Sequence, residues 1–151
     1  GATAKRIQLF TTGQINIYGT YLNNLKHGDY VEFYKNGKVL SMCIYDKGKI
    51  TGRYVGFYNN GNMSIESTYK DDKLHGEYIT YLSNGGKEVE TNYSNGKRHG
   101  EDILYNSVGK KIIKRNYVCG IVHGPCTQYN NDGIAENHLN YYYGNLQHKK
   151  I

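Results

Sequence analysis

The sequence has 151 residues, a formal charge of +6, 38% hydrophobic residues and a single proline. That is about one domain by length and too thinly apolar for a densely cored enzyme. No apolar run approaches the roughly 20 residues that cross a bilayer, and the opening "GATAKRIQLF" lacks the pattern of a signal peptide, so residues 1–3 read as a vector-derived remnant.

Taken in order, the chain divides into units of one length. Residues 4–27 place Ile7, Leu9, Ile17 and Tyr21 in phase with everything that follows. Units 28–51, 52–75, 76–99, 100–123 and 124–147 each open on a glycine (Gly28, Gly52, Gly76, Gly100, Gly124), always 24 residues apart. A second glycine series (Gly13, Gly37, Gly61, Gly85, Gly109, Gly133) and a tyrosine series (Tyr21, Tyr45, Tyr69, Tyr93, Tyr117, Tyr141) keep the same period. Self-similarity at a fixed period is the mark of a repeat architecture, here a single repeat domain over 4–151.

Inside a unit, segments such as "DYVEFYK" and "RYVGFYN" alternate with period two and read as strands. Asn36, Asn60, Asn84 and Asp132 precede the second glycine, which predicts a two-residue type I′ hairpin turn. Val108 occupies that slot in "NSVGKK", so a different or strained turn is expected there. The connections place Asn24, Gly48, Asp72, Gly96, Gly120 and Gly144 at one repeated tight-turn position. No stretch of ten residues has a helical apolar period. The fold class is therefore all-β, about six consecutive 24-residue β-hairpins side by side.

The predicted packed face carries Val31/Phe33, Val55/Phe57, Ile79/Tyr81, Ile103/Tyr105 and Thr127/Tyr129, with Ile65, Val89, Ile113 and the tyrosine series. Tyr30, Tyr34, Tyr54, Tyr58, Tyr78 and Leu82 then fall on the opposite face, as a candidate partner-binding patch of rigid amphipathic rings. Cover of the apolar face by a second copy or by another protein is also expected. The positive charge concentrates at Lys110, Lys111, Lys114 and Arg115 and in the tail His148–Lys150. That run is a candidate patch for anionic lipid or nucleic acid, a lesser expectation because the remaining Lys and Arg are dispersed.

Chemistry finds little support. His27, His75, His99 and His123 precede the repeat glycine, but equivalent positions lie two strands, about 10 Å, apart, too far to share a zinc ion. They read as turn residues that cap a backbone carbonyl or stack on a neighbour. Asp29, Glu77 and Glu101, like Glu88 and Glu90, read as charged strand positions and not as an acid/base pair. Cys43, Cys119 and Cys126 show no CxxC spacing and are too few for a disulfide framework, so a reducing, cytoplasmic setting is expected. No catalytic, metal or cofactor residue is assigned.

The unit "YDKGKITGRYVGFYNNGNMSIESTY" (45–69) resembles the MORN repeat, in the variant form of YwqK-like proteins. The resemblance covers roughly residues 5–147 and implies an elongated, solenoid-like antiparallel sheet. It also implies a non-catalytic scaffold or protein-binding module, or, in the YwqK-like group, an antitoxin. The family often has Trp after the connecting glycine; this chain has Tyr30, Tyr54 and Tyr78 near that position, then Asp102 and Cys126. The aromatic series thus fades toward the C-terminal half.

Overall fold

The computed structural model describes residues 2–147. Gly1 and the basic tail His148–Lys150 lie outside the described residues. The regular structure is all β-strand, and within each of its two compact units sheet order equals chain order. The strands are β1 (Thr3–Leu9), β2 (Ile15–Leu22), β3 (Leu25–Phe33), β4 (Val39–Asp46), β5 (Lys49–Phe57) and β6 (Met63–Lys70). They continue with β7 (Lys73–Tyr81), β8 (Lys87–Ser94), β9 (Lys97–Tyr105), β10 (Lys111–Val118), β11 (Ile121–Tyr129), β12 (Ala135–Tyr142) and β13 (Asn145–Leu146).

Contacts group into two compact units. The first comprises the residues up to Lys73 with Ser83–Gly85, and within it β1 to β6 pair antiparallel in succession. The second comprises Leu74–Leu82 and the residues from Gly86 onward, with β7 to β13 paired in the same way.

The turns at the second glycine series differ from the sequence expectation. At residues 34–38 the Gly37 N–H donates to Tyr34 O at 2.9 Å and the Tyr34 N–H to Lys38 O at 2.8 Å, and Gly37 alone in the loop has a positive φ, 82°. This is a three-residue loop, a type I turn closed by a left-handed glycine, and not a type I′ turn. The same bond pair recurs at Phe10, Tyr58, Asn106 and Asn130. Val108 therefore sits in an ordinary member of the series. The residue before the glycine keeps a negative φ, which a β-branched side chain adopts freely, so the expected strain is absent. The Asn106 carboxamide further accepts the Val108 and Lys110 N–H groups at 3.2 and 2.9 Å.

The type I′ turns are the connections. Lys47 and Gly48 have φ of 46° and 87°, and Asn23/Asn24, Asp71/Asp72, Asn95/Gly96, Cys119/Gly120 and Tyr143/Gly144 repeat the pair of positive values. Just beyond the turns at Asn24, Gly48, Gly96 and Gly120, the strand slips against its predecessor. Cys43 opposes Tyr54 but Ile44 opposes Thr51, so Gly52 (φ 69°) and Arg53 bulge out of the pairing.

The hairpin register also corrects the predicted faces. Directly opposed residues share a face, and each hairpin pairs an odd-numbered residue with an even-numbered one: Tyr30 with Cys43, Val31 with Met42. Tyr45 opposes Gly28 and so lies with Tyr30, not with Val31. In the first unit this tyrosine face holds Tyr30, Ser41, Cys43, Tyr45, Tyr54, Ser67 and Tyr69. In the second it holds Tyr78, Thr91, Tyr93, Asp102, Arg115, Tyr117 and Cys126. The other face, here the valine face, carries Val31 and Val55 in the first unit and Ile79 and Ile103 in the second. Tyr81, Tyr105 and Tyr129 belong to this face, apart from the tyrosine series. Both faces contain buried residues, among them Tyr30, Cys43 and Cys126 on one and Val55, Ile79 and Ile103 on the other.

Candidate functional site

The six residues of the predicted aromatic patch are placed as follows. Tyr30 is only 7% exposed. Its ring meets Tyr45 edge-on at 5.4 Å, and the Lys26 ammonium lies 3.7 Å from its centroid. Tyr54 packs on Tyr69 at 6.1 Å and Tyr78 on Tyr93 at 5.4 Å, each half-buried. Tyr34 occupies a loop position and donates its hydroxyl to Phe57 O at 2.7 Å, tying neighbouring hairpins. Tyr58 and Leu82 hold the equivalent loop positions and are half-buried. These rings therefore pack against their own unit, and Tyr30 is core.

The basic run divides between the faces. Arg115 points to the tyrosine face, where its Nε donates to Asp102 Oδ2 at 2.8 Å. Lys114 lies on the valine face, 2.8 Å from Glu101. Only Lys110 and Lys111, at the head of β10, are exposed. The run is thus no contiguous patch, and two of its four charges are already paired.

The histidines carry a structural role of opposite polarity to the one expected. Each ring accepts a backbone N–H: Lys47 N–H donates to His27 Nδ1, Asn95 to His75, Cys119 to His99 and Tyr143 to His123, at 3.3 to 3.4 Å. His123 also stacks on Tyr143, with centroids 4.5 Å apart. The N–H of the next turn residue donates to the strand carrying the histidine, Gly48 to Lys26 O at 2.7 Å and Gly120 to Arg98 O at 2.7 Å. Among the described residues no three His, Cys, Asp or Glu side chains gather as a metal site.

The carboxylates have separate partners. Glu88 accepts from the Thr80 hydroxyl at 3.1 Å, whereas Glu90 takes Lys87 at 2.9 Å and the Tyr105 hydroxyl at 3.0 Å. The Lys87 hydrogen bond, helped by that of Tyr105, holds the Glu90 carboxyl below its usual range. Burial pushes the Cys43 thiol up to about 11, against the pull of Lys26, so the thiol stays protonated and unreactive. Burial raises Cys126 as well, while Cys119 is exposed in its turn.

An apolar strip on the valine face of the first unit escaped the sequence reading. Met42 and Ile44 on β4 are 40% and 46% exposed, and a cavity of about 330 Å³ opens beside them, bounded by Tyr18, Val31 and Val55. Asp29 and Arg53 stand on either side of β4 at its rim. The available signal is "VLSMCIY", in which apolar residues occupy successive positions and so must face both sides of the sheet.

Residues 26–47, 50–71 and 74–97 match the model of the MORN repeat variant, as three consecutive repeats. No curated protein sequence matches the chain.

Proposed function

We propose that this chain acts by protein contact and not by chemistry, as a binding module whose docking surface is the apolar strip around Met42 and Ile44. The observation that carries the reading is the exposure of two large apolar side chains side by side on one strand, next to a cavity, while Tyr30, Tyr54 and Tyr78 pack on neighbouring rings. Exposed contiguous apolar surface rimmed by polar groups marks interaction sites. The repeat-variant match supports a binding or scaffold module in general and is silent on a toxin partner.

A second copy of the chain suits the strip. Asp29 and Arg53 flank β4 with opposite charge, and a two-fold axis through Ile44 brings Asp29 of one copy toward Arg53 of the other. Arg53 is 62% exposed and shares Glu66 at 2.9 Å, so its guanidinium remains reachable. Equilibrium sedimentation is expected to show a dimer that Met42→Glu with Ile44→Lys converts to monomer without loss of fold. A chain that stays monomeric at every concentration, or a variant that dimerises as well as the parent, removes self-association through this strip.

A further inference from the structure

The ring series of the tyrosine face stops in the second unit. Tyr30, Tyr54 and Tyr78 are followed at the same 24-residue spacing by Asp102 and Cys126. Where a ring is present it fills the space beside the tyrosine diagonally across the hairpin, as Tyr78 does against Tyr93 at 5.4 Å. At Cys126 the side chain is too short to do so. A cavity of about 390 Å³ opens there, its lining including Ile113, Tyr117 and Tyr141 together with Cys126, Arg115 and Gln128. That volume is in the range of small-ligand sites, which combine apolar and aromatic walls with a few placed polar groups.

The chemistry of the walls narrows the ligand. Two phenol rings and an isoleucine favour a flat apolar body. Arg115 is held in place through Nε by the fully buried Asp102 at 2.8 Å, and its two terminal nitrogens make no hydrogen bond among the described residues. Its guanidinium carbon lies 5.2 Å from the Tyr117 centroid. Arg98 approaches the other Asp102 oxygen at 3.9 Å, so the cluster holds two guanidinium charges against one carboxylate. The burial that keeps the Cys126 thiol protonated adds no negative charge. A fixed guanidinium with free nitrogens is suited to a carboxylate, and Gln128 supplies a neutral amide beside it.

We propose that this cavity on the second unit binds a small aromatic carboxylate, its ring seated between Tyr117 and Tyr141 where the earlier repeats place a tyrosine of their own, and its carboxylate on Arg115.

The test is an amide-detected NMR titration of the whole chain with benzoate, benzamide and acetate. Benzoate is expected to give saturable shifts confined to β10, β11 and β12. Benzamide should bind roughly tenfold more weakly, the weight of one charge-assisted hydrogen bond, and acetate not measurably. Cys126→Tyr, which restores the ring of the earlier repeats, should abolish the benzoate shifts while leaving the rest of the spectrum in place. Should that variant fold poorly, Ile113→Trp closes the same cavity from the neighbouring strand and carries the same expectation. Absence of saturable benzoate binding, equal affinity for benzamide, or binding that survives a folded variant with the cavity filled would each overturn the proposal.

Discussion

Asp102 and Arg115 are the two residues by which one hairpin departs most from its siblings. In the β3–β4, β5–β6 and β7–β8 hairpins a tyrosine opposes a small residue: Tyr30 faces Cys43, Tyr54 faces Ser67 and Tyr78 faces Thr91. In β9–β10 the sizes are reversed, with Asp102 opposite Arg115, so the space is filled from the other strand. The exchange conserves volume, which cores tolerate best, but it brings a carboxylate to full burial with Oδ1 lacking any hydrogen bond among the described residues. Removing one member of a buried ion pair is costly because the other charge stays behind. Asp102→Ala is expected to lower stability by about 3 kcal/mol, at the low end of that effect because Arg115 retains some solvent contact. The double change Asp102→Tyr with Arg115→Ser, which reinstates the pattern of those three hairpins, should be far less destabilising than Asp102→Tyr alone, with a coupling of about 1–3 kcal/mol by urea titration. Additive effects of the two changes would show that the pair does not act as a unit.

At the scale of the hairpin, the turn type is decided by where two consecutive positive φ values fall. Cys119 meets that demand badly, with φ of 51° on a residue that gains nothing from the left-handed region. Its equivalents include Asn23 and Asn95. Cys119→Asn should therefore raise stability by about 0.5–1 kcal/mol with no change in the neighbouring bonds, as thermal denaturation would show. A loss of stability would mean that the thiol itself makes a needed contact. The same turns show what was legible in the sequence. The period, the strands and the second residue of each connection, such as Gly48 and Gly96, stood in plain view, because glycine at a fixed spacing reports a backbone demand directly. The first residue of the type I′ turn did not at three of the six connections, since Lys47, Cys119 and Tyr143 carry positive φ without the composition that advertises it. Asn36-Gly37 misled for the converse reason: a type I turn closed by glycine uses the same dipeptide. Face assignment failed on parity. Odd residues of the two strands do not share a side, because Tyr30 pairs with Cys43 and Tyr45 therefore lies with Tyr30. With the faces interchanged, Tyr30 looked exposed, and neither the Met42 strip nor the cavity at Cys126 could be seen.

Across the molecule, burial is uneven within each unit. In the first, β1 is exposed at every residue, whereas β4 and β5 each contain buried positions. In the second, β12 is mostly exposed while β9 buries Asp102 and Ile103. A repeat array draws its stability from nearest neighbours, so local opening should follow this gradient. Hydrogen exchange is expected to be fastest along β1 and β12 and slowest along β4, β5 and β9. Uniform protection over all strands would indicate a single cooperative unit instead. The docking of each connecting turn onto the strand before its hairpin has a consequence for how such a chain is made. His27 precedes the turn N–H that it receives by 20 residues, and His75, His99 and His123 do the same. The acceptor is thus already part of the chain when its donor is added, and closing the contact requires only a short loop. Each hairpin can be locked onto the last as it emerges, so that the order of translation is also the order of assembly.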